Sequence, residues 1–351
     1  MMINSSFLVG ERLEMLEEGH IIIENGRIVE ICDGYEVGAI DMKDYIVIPG
    51  LINAHTHVGD SFAKEAVLGM NVKRAVGERG EKWRLYSKTD KKTIISGIKN
   101  SIEYMLNSGI TTFVDFREYG KNGVDLLRNL LVEFPIKSLI LGRDIDIDEC
   151  DGLGLNLYQL DQIPDDRKGK IIAIHAGEKN GEVEIALRYD PDVIIHFVHY
   201  TESDLATTLR KDISVVICPR SNSVLRVGLP NVREILDYGI NVALGTDNVM
   251  INSPDLFREM EFVSKISYLS REILPVEVLQ MTTVNAAKAF KLNSGVIERK
   301  RNADLIFIDK NAPNLKYNRN IIATIVHRCN PENVRKVMIN GKFVLDKDMK
   351  K

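Results

Sequence analysis

The chain has 351 residues, 44% of them hydrophobic and 27% charged, and a formal net charge of -4. That length and apolar content can build one large core or two to three smaller ones. Lys and Arg are scattered, in pairs such as Lys91-Lys92 rather than in a stripe, which excludes the basic footprint of a nucleic-acid binder.

The four cysteines, Cys32, Cys150, Cys218 and Cys329, lie far apart with no CxxC pair, so no disulfide framework is expected. The opening stretch "MMINSSFLVGERLEMLEEG" lacks a basic segment followed by an apolar one, so no signal peptide is expected. No apolar run approaches the ~20 residues that span a bilayer. The expectation is a soluble, cytoplasmic protein whose partner is a small molecule, not nucleic acid or membrane.

In chain order, "HIIIENGRIVEI" (20–31) places two β-branched runs around Asn25-Gly26, which predicts a tight hairpin. The run "IVIPGLI" then predicts a strand that ends in "NAHTH", with His55 and His57 one residue apart. A helix is expected over "KKTIISGIKNSIEYML" (91–106). Further strands are "ITTFVDF" (110–116), "IKSLILG" (136–142), "KIIAIHA" (170–176), "DVIIHFV" (192–198), "ISVVICP" (213–219) and "INVALGTD" (240–247). They are continuous apolar runs, as parallel strands covered on both faces require. "LPNVREILDYG" (229–239) reads as a helix with Pro230 in its first turn and Gly239 after its end. An eighth strand belongs in "CDGLGLNLYQLD" (150–161), where the pattern is weak. "ADLIFID" (303–309) and "IIATIV" (321–326) read as strands, and "VRKVMINGKFVLDKD" (334–348) as a second hairpin around Asn340-Gly341.

Repeated strand–helix units predict an α/β fold, a (β/α)8 barrel, with strands from both termini forming a small β unit. An open doubly wound sheet also fits the alternation. It loses its best support because neither GxGxxG after a strand nor GxxxxGK[ST] occurs.

In a parallel barrel the C-terminal strand ends share one rim, where sites are built. His55 and His57, at i and i+2, point to the same side of their strand. His175 and Asp247 end two other strands and would complete an N3O set, which suits one divalent transition metal: zinc, or iron or manganese less selectively. His20 and His327 read as ordinary polar residues of the β unit. Glu178, three residues after His175, is either a first-turn helix carboxylate or a proton carrier beside the metal. His196 could orient or polarise the attacked group, while His199 cannot share its direction if the strand continues.

These motifs carry a resemblance. "PGLINAHTH", "GITTFVD", "HAGE", "VIIHFVH", "CPRSNSVLRVGLPNVREILDYGINVALGTDN" and "ERKRNADLIFID" occur in the order seen in the metal-dependent amidohydrolase superfamily. The chain most resembles its deaminase and chlorohydrolase branch, with the S-adenosylhomocysteine/methylthioadenosine, guanine and cytosine deaminases. The resemblance implies a TIM-barrel hydrolase domain over residues 46–296 and a composite β-sandwich from residues 1–45 plus 297–351. It implies metal ligands at His55, His57, His175 and Asp247, a proton-shuttling Glu178 and a substrate-polarising His196, with Asp247 also catalytic. No lysine stands where two-metal members carry a bridging one, so a single metal is expected.

The activity so implied is hydrolytic deamination of an amino-substituted heterocycle, purine- or pyrimidine-like, with release of ammonia. The alternatives are a cyclic-amide hydrolase, a chlorohydrolase using the same site, or a non-catalytic scaffold. Trp83, Arg84, Arg143 and His199 are the candidate substrate residues; the first three stand on segments, after the first strand and from Arg143 to Gln162, that are shorter than in many relatives. Homo-oligomers are common in the superfamily, though no stripe in this sequence marks an interface. The zinc deaminases with HxE and PCxxC motifs are not matched, because "ICPRS" holds one cysteine.

Overall fold

A computed structural model describes residues 1–349; Lys350 and Lys351, the end of the expected terminal β unit, lie outside the described residues. The chain falls into two compact units. One comprises Met1–Ile52, Met105–Thr112 and Leu256–Lys351, the other Asn53–Tyr104 and Phe113–Asp255.

The first unit contains a seven-stranded sheet. From the N-terminal side come β1 (Met2–Val9), β2 (Glu14–Glu24), β3 (Arg27–Asp33) and β4 (Ile40–Pro49). The second sheet takes β5 (Leu51–His57), β6 (Ile110–Arg117), β7 (Lys137–Gly142), β8 (Gly152–Leu155), β9 (Ile171–Ala176), β10 (Val193–His196), β11 (Ser214–Ile217), β12 (Val242–Leu244) and β13 (Asp247–Asn248). Then β14 (Leu305–Asp309), β15 (Val334–Ile339) and β16 (Lys342–Asp346) return to the first sheet, whose order is β16-β15-β14-β4-β1-β2-β3.

Both expected hairpins form. Glu24 pairs with Arg27 across Asn25 (φ 49) and Gly26 (φ 78), and Ile339 pairs with Lys342 across Asn340 (φ 48) and Gly341 (φ 71). Two central residues at positive φ match the twist of the flanking strands. The core of this sheet is built from Ile3, Phe7, Ile21, Val47, Leu305 and Phe307.

One expected strand is a helix. Residues 321–326 lie in the helix Ile321–Arg328. The Asn320 side chain accepts a hydrogen bond from the Ala323 amide and starts the helix, which rests on the helices Leu256–Ser267 and Pro275–Met281. A capped start and a helical surface to pack on outweigh the β preference of a short Ile/Val/Thr run. The expected helix at 229–239 is shorter, Val232–Asp237, because Asn231 caps it and leaves Pro230 outside.

The nine-stranded sheet runs β12-β11-β10-β9-β8-β7-β6-β5-β13. It is a curled parallel sheet. Only Gly245 and Thr246 separate β12 from β13, so its strand order starts and finishes on one chain segment. The weak eighth strand is β8, and its pattern has a physical cause. A Cβ at Gly154 would fall 2.4 Å from the Phe116 ring, so only glycine lets that ring lie against the strand. Among the described residues, no helix is long and apolar enough to cross a membrane.

Candidate active site

The C-terminal strand ends of the curled sheet bring distant residues together. His55 and His57 end β5, His175 sits near the end of β9, His196 ends β10 and Asp247 opens β13. Register fixes the neighbours: Ile195 pairs with His175, and Asp247 with Thr56. The backbone is unusual where the chain leaves these strands. His196 (φ 79), Phe197 (φ 48) and Asp247 (φ 58) occupy the left-handed region, a cost that proteins concentrate at functional sites. Gly245 allows a close approach, since a Cβ there would lie 2.6 Å from the His55 Cβ.

The imidazoles cluster tightly. Ring centroids are 4.9 Å apart for His55 and His57, 5.0 Å for His55 and His175, and 5.5 Å for His175 and His196. Asp247 Oδ1 lies 3.2 Å from His55 Nε2 and 3.7 Å from His57 Nε2. Ligand-capable atoms of His55, His57 and His175 fall within 4.8 Å of one another, as do those of His55, His196 and Asp247.

Outer contacts orient these groups. His57 Nδ1 meets Glu118 Oε1 at 3.0 Å, His175 Nδ1 meets the Leu155 carbonyl at 3.1 Å, and His196 Nδ1 meets Asn222 Oδ1 at 2.9 Å. If each Nδ1–H donates, each Nε2 keeps its lone pair, the usual arrangement behind a metal-binding histidine. Ser221 donates its hydroxyl to Asp247 Oδ2.

His55 is fully buried, yet neither of its ring nitrogens makes a hydrogen bond. Burial pulls its pKa down to about 3, against the opposing pull of Asp247. Burial likewise holds His175 well below the usual histidine range, with His55 and Arg143 adding to the effect. Neutral imidazoles with unclaimed nitrogens beside a carboxylate have the donor chemistry of a cation site.

His57, Trp83, Arg143, His175, Glu178, His196 and Asp247 line one cavity of about 200 Å³. Glu178 Oε1 is 3.7 Å from His196 Nε2. Burial raises the Glu178 pKa, Asp247 adds to the rise, and His196 opposes it. Arg143 Nε and Nη2 and Trp83 Nε1 are buried without a hydrogen-bond partner.

Two expected substrate residues are not brought in. Arg84 is exposed and pairs with Glu81 on its own helix turn, because the start of the helix Glu81–Tyr86 points it outward. His199 gives its Nε2 to the Val227 carbonyl at 3.0 Å, since the chain turns away after His196.

Sequence reasoning missed Glu118, Lys82, Asp60 and Asn222. Glu118 directly follows β6, so the strand-end criterion applied to the histidines would have found it. Nothing local marks Lys82 or Asp60. Burial alone would raise the Glu118 pKa, but the Lys82 ammonium and the His57 N–H hold it well below the usual carboxylate range.

The chain matches the amidohydrolase family over residues 46–149 and 160–344. It belongs to that family. As an amidohydrolase it is a hydrolase of C–N bonds, and the family uses a divalent metal. The amidohydrolase is 35% identical to a Methanocaldococcus jannaschii protein of unassigned function, over 94% of this chain and 95% of that one. It is 28% identical to a 5-methylthioadenosine/S-adenosylhomocysteine deaminase of Thermococcus sibiricus, over 97% of this chain and 93% of the relative. Its fold resembles that of a zinc-bound adenosine deaminase from Xanthomonas campestris, with a TM-score of 0.82, 18% identity, and coverage of 99% of this chain and 94% of that one. The curled parallel sheet matches such TIM-barrel neighbours.

Proposed function

We propose that this amidohydrolase is a hydrolytic deaminase of an amino-substituted heterocycle, purine- or pyrimidine-like, that releases ammonia. The carrying observation is Glu178. It is a carboxyl whose pKa is raised by burial, set 3.7 Å from His196 on the cavity that Asp247 and the histidines line. We read the curled sheet as a closed (β/α)8 barrel domain over residues 46–296, and the terminal segments 1–45 and 297–351 as a composite β-sandwich.

His55, His57, His175 and Asp247 would hold one divalent transition metal, zinc by the N3O donor set. Bound there, the ion supplies Lewis acidity that eases loss of a proton from water near neutral pH. Asp247, its second oxygen held by Ser221, takes that proton as water attacks the ring carbon bearing the amine. Glu178 protonates the ring nitrogen beside that carbon, which lets the carbon become tetrahedral. The His196 imidazole, oriented by Asn222, faces the attacked centre and polarises it. The proton held by Asp247 then passes to the amine, which leaves as ammonia, while the new hydroxyl returns its proton to Glu178; the ring keeps the oxygen as a carbonyl and the proton on its nitrogen. Trp83 offers a face for a planar ring, and the unpartnered Arg143 N–H groups offer donors to its acceptors.

β8, the fourth strand of the curled sheet from β5, reads Gly-Leu-Gly-Leu and carries no lysine that could bridge two ions, which supports one metal. Ammonia release by zinc-loaded protein from a panel of purines, pterins, pyrimidines and triazines is the test, with cyclic amides run alongside. Silence on every amine, from protein shown to hold its zinc, would refute the deaminase reading.

A further inference from the structure

Beside the histidine cluster stands a buried lysine that the chemistry above does not use. Lys82 is 4% exposed. Its ammonium pairs with Asp60 Oδ2 at 2.9 Å and with Glu118 Oε1. A buried ammonium is costly unless carboxylates surround it in good geometry. Burial lowers its pKa, but Asp60 and Glu118 more than offset that and keep it charged.

The two carboxylates have distinct settings. Asp60 is anchored independently: its Oδ1 accepts from the Tyr86 hydroxyl at 2.9 Å and its Oδ2 from the Asn248 amide. Glu118 depends on one atom. Its Oε1 receives both the Lys82 ammonium and, at 3.0 Å, His57 Nδ1. Its Oε2 has no hydrogen-bond donor, and the Arg117 guanidinium lies 3.8 Å from it. Lys82, tied to the anchored Asp60, therefore sets where Glu118 Oε1 lies.

We propose that Lys82 is a positioning residue for the metal centre. It clamps Glu118 against His57 Nδ1, so that His57 donates from Nδ1 and presents its Nε2 lone pair toward His55, His175 and Asp247. The inference rests on the metal reading of the site given above. It predicts a chain of dependence in which Lys82 acts on the ion only through Glu118.

The test is a double-variant cycle on zinc affinity, measured by competition with a chelating dye on intact protein. Lys82→Met removes the charge at nearly the same length, and Glu118→Gln removes the acceptor charge on His57. Each single change should weaken zinc binding about 10- to 100-fold, the range for outer partners of metal-bound histidines. The double variant should bind about as well as Glu118→Gln alone, because the second change finds its path already cut. A purely structural Lys82 would instead lower the thermal midpoint of metal-free protein and leave zinc affinity alone, or cost the same in both backgrounds; either result overturns the proposal. Should Lys82→Met fail to fold, Lys82→Gln, which keeps an N–H donor near both carboxylates, takes its place under the same criterion. A wild-type chain that takes up no zinc would sink the metal reading itself and this inference with it, and that is seen before any variant is compared.

Discussion

Adding a single methyl group at Gly245 should cripple the site without touching any of its functional groups. Gly245 joins β12 to β13 where that segment passes closest to His55. An alanine Cβ there would lie 2.6 Å from the His55 Cβ, 2.8 Å from its backbone nitrogen and 3.1 Å from its Cα. Carbon atoms in contact prefer roughly 3.5–4.0 Å, so the crowding amounts to about 1 Å, and it falls on backbone that cannot rotate away. Overpacking of this kind costs about 1–3 kcal/mol. A displacement of about 1 Å at a reacting group can cost ~10²-fold in rate. Gly245→Ala should therefore lower the thermal midpoint by several degrees and weaken zinc binding far more than the stability change explains. Gly169→Ala is the control. Gly169 has φ +72 with nothing within 4 Å, so it should lose about 1–2 kcal/mol of stability and keep its zinc. Normal zinc affinity in Gly245→Ala would show that His55 does not need its present position, and the reasoning from close approach would fail.

Other outcomes are expected from the same geometry. Purified protein should hold one transition-metal ion per chain, sharply reduced by His55→Ala or Asp247→Ala; metal analysis giving two ions would contradict the mononuclear reading. Glu178→Gln should keep the metal and lose ~10² to 10⁴-fold in turnover, as for a general acid–base group; a variant that loses metal instead would make Glu178 a ligand. In the first unit Asp348 accepts from the Tyr45 hydroxyl and pairs with Arg335 and Lys336, which gives a pH prediction. Burial would raise the Asp348 pKa, but the Tyr45 hydroxyl, Arg335 and Lys336 bring it down to about 2. A depressed carboxylate stabilises the fold above its unfolded pKa, ~3.9, and that contribution disappears as pH falls through about 2. Acid denaturation curves of wild type and Asp348→Asn should thus converge between about pH 4 and 2, and curves that stay parallel there would refute the assignment.

The sequence by itself determined a good deal, because some physics is local. Asn-Gly between β-branched runs specifies a hairpin wherever it folds, and both hairpins form where those dipeptides stand. Apolar runs ending in His55, His57, His175, His196 and Asp247 put these side chains at strand ends, and a two-residue period fixes which of them share a face. Tertiary structure decided the rest. Residues 321–326 have the composition of a strand, yet a capping asparagine and two neighbouring helices make them helical. Glycine at 154 blurs the pattern of β8 because the Phe116 ring needs its space, and that ring is 38 positions away in sequence. Arg84 and His199 were plausible from composition, and only the direction of their backbone removed them from the cavity. Glu118 follows a strand end and was legible there, but Lys82 and Asp60 belong to no spacing rule. Their ion pairs with each other and with Glu118 span separations that no periodicity encodes, so the charges that hold Glu118 beside His57 became visible only once folding had brought the helix Glu81–Tyr86 to the strand ends.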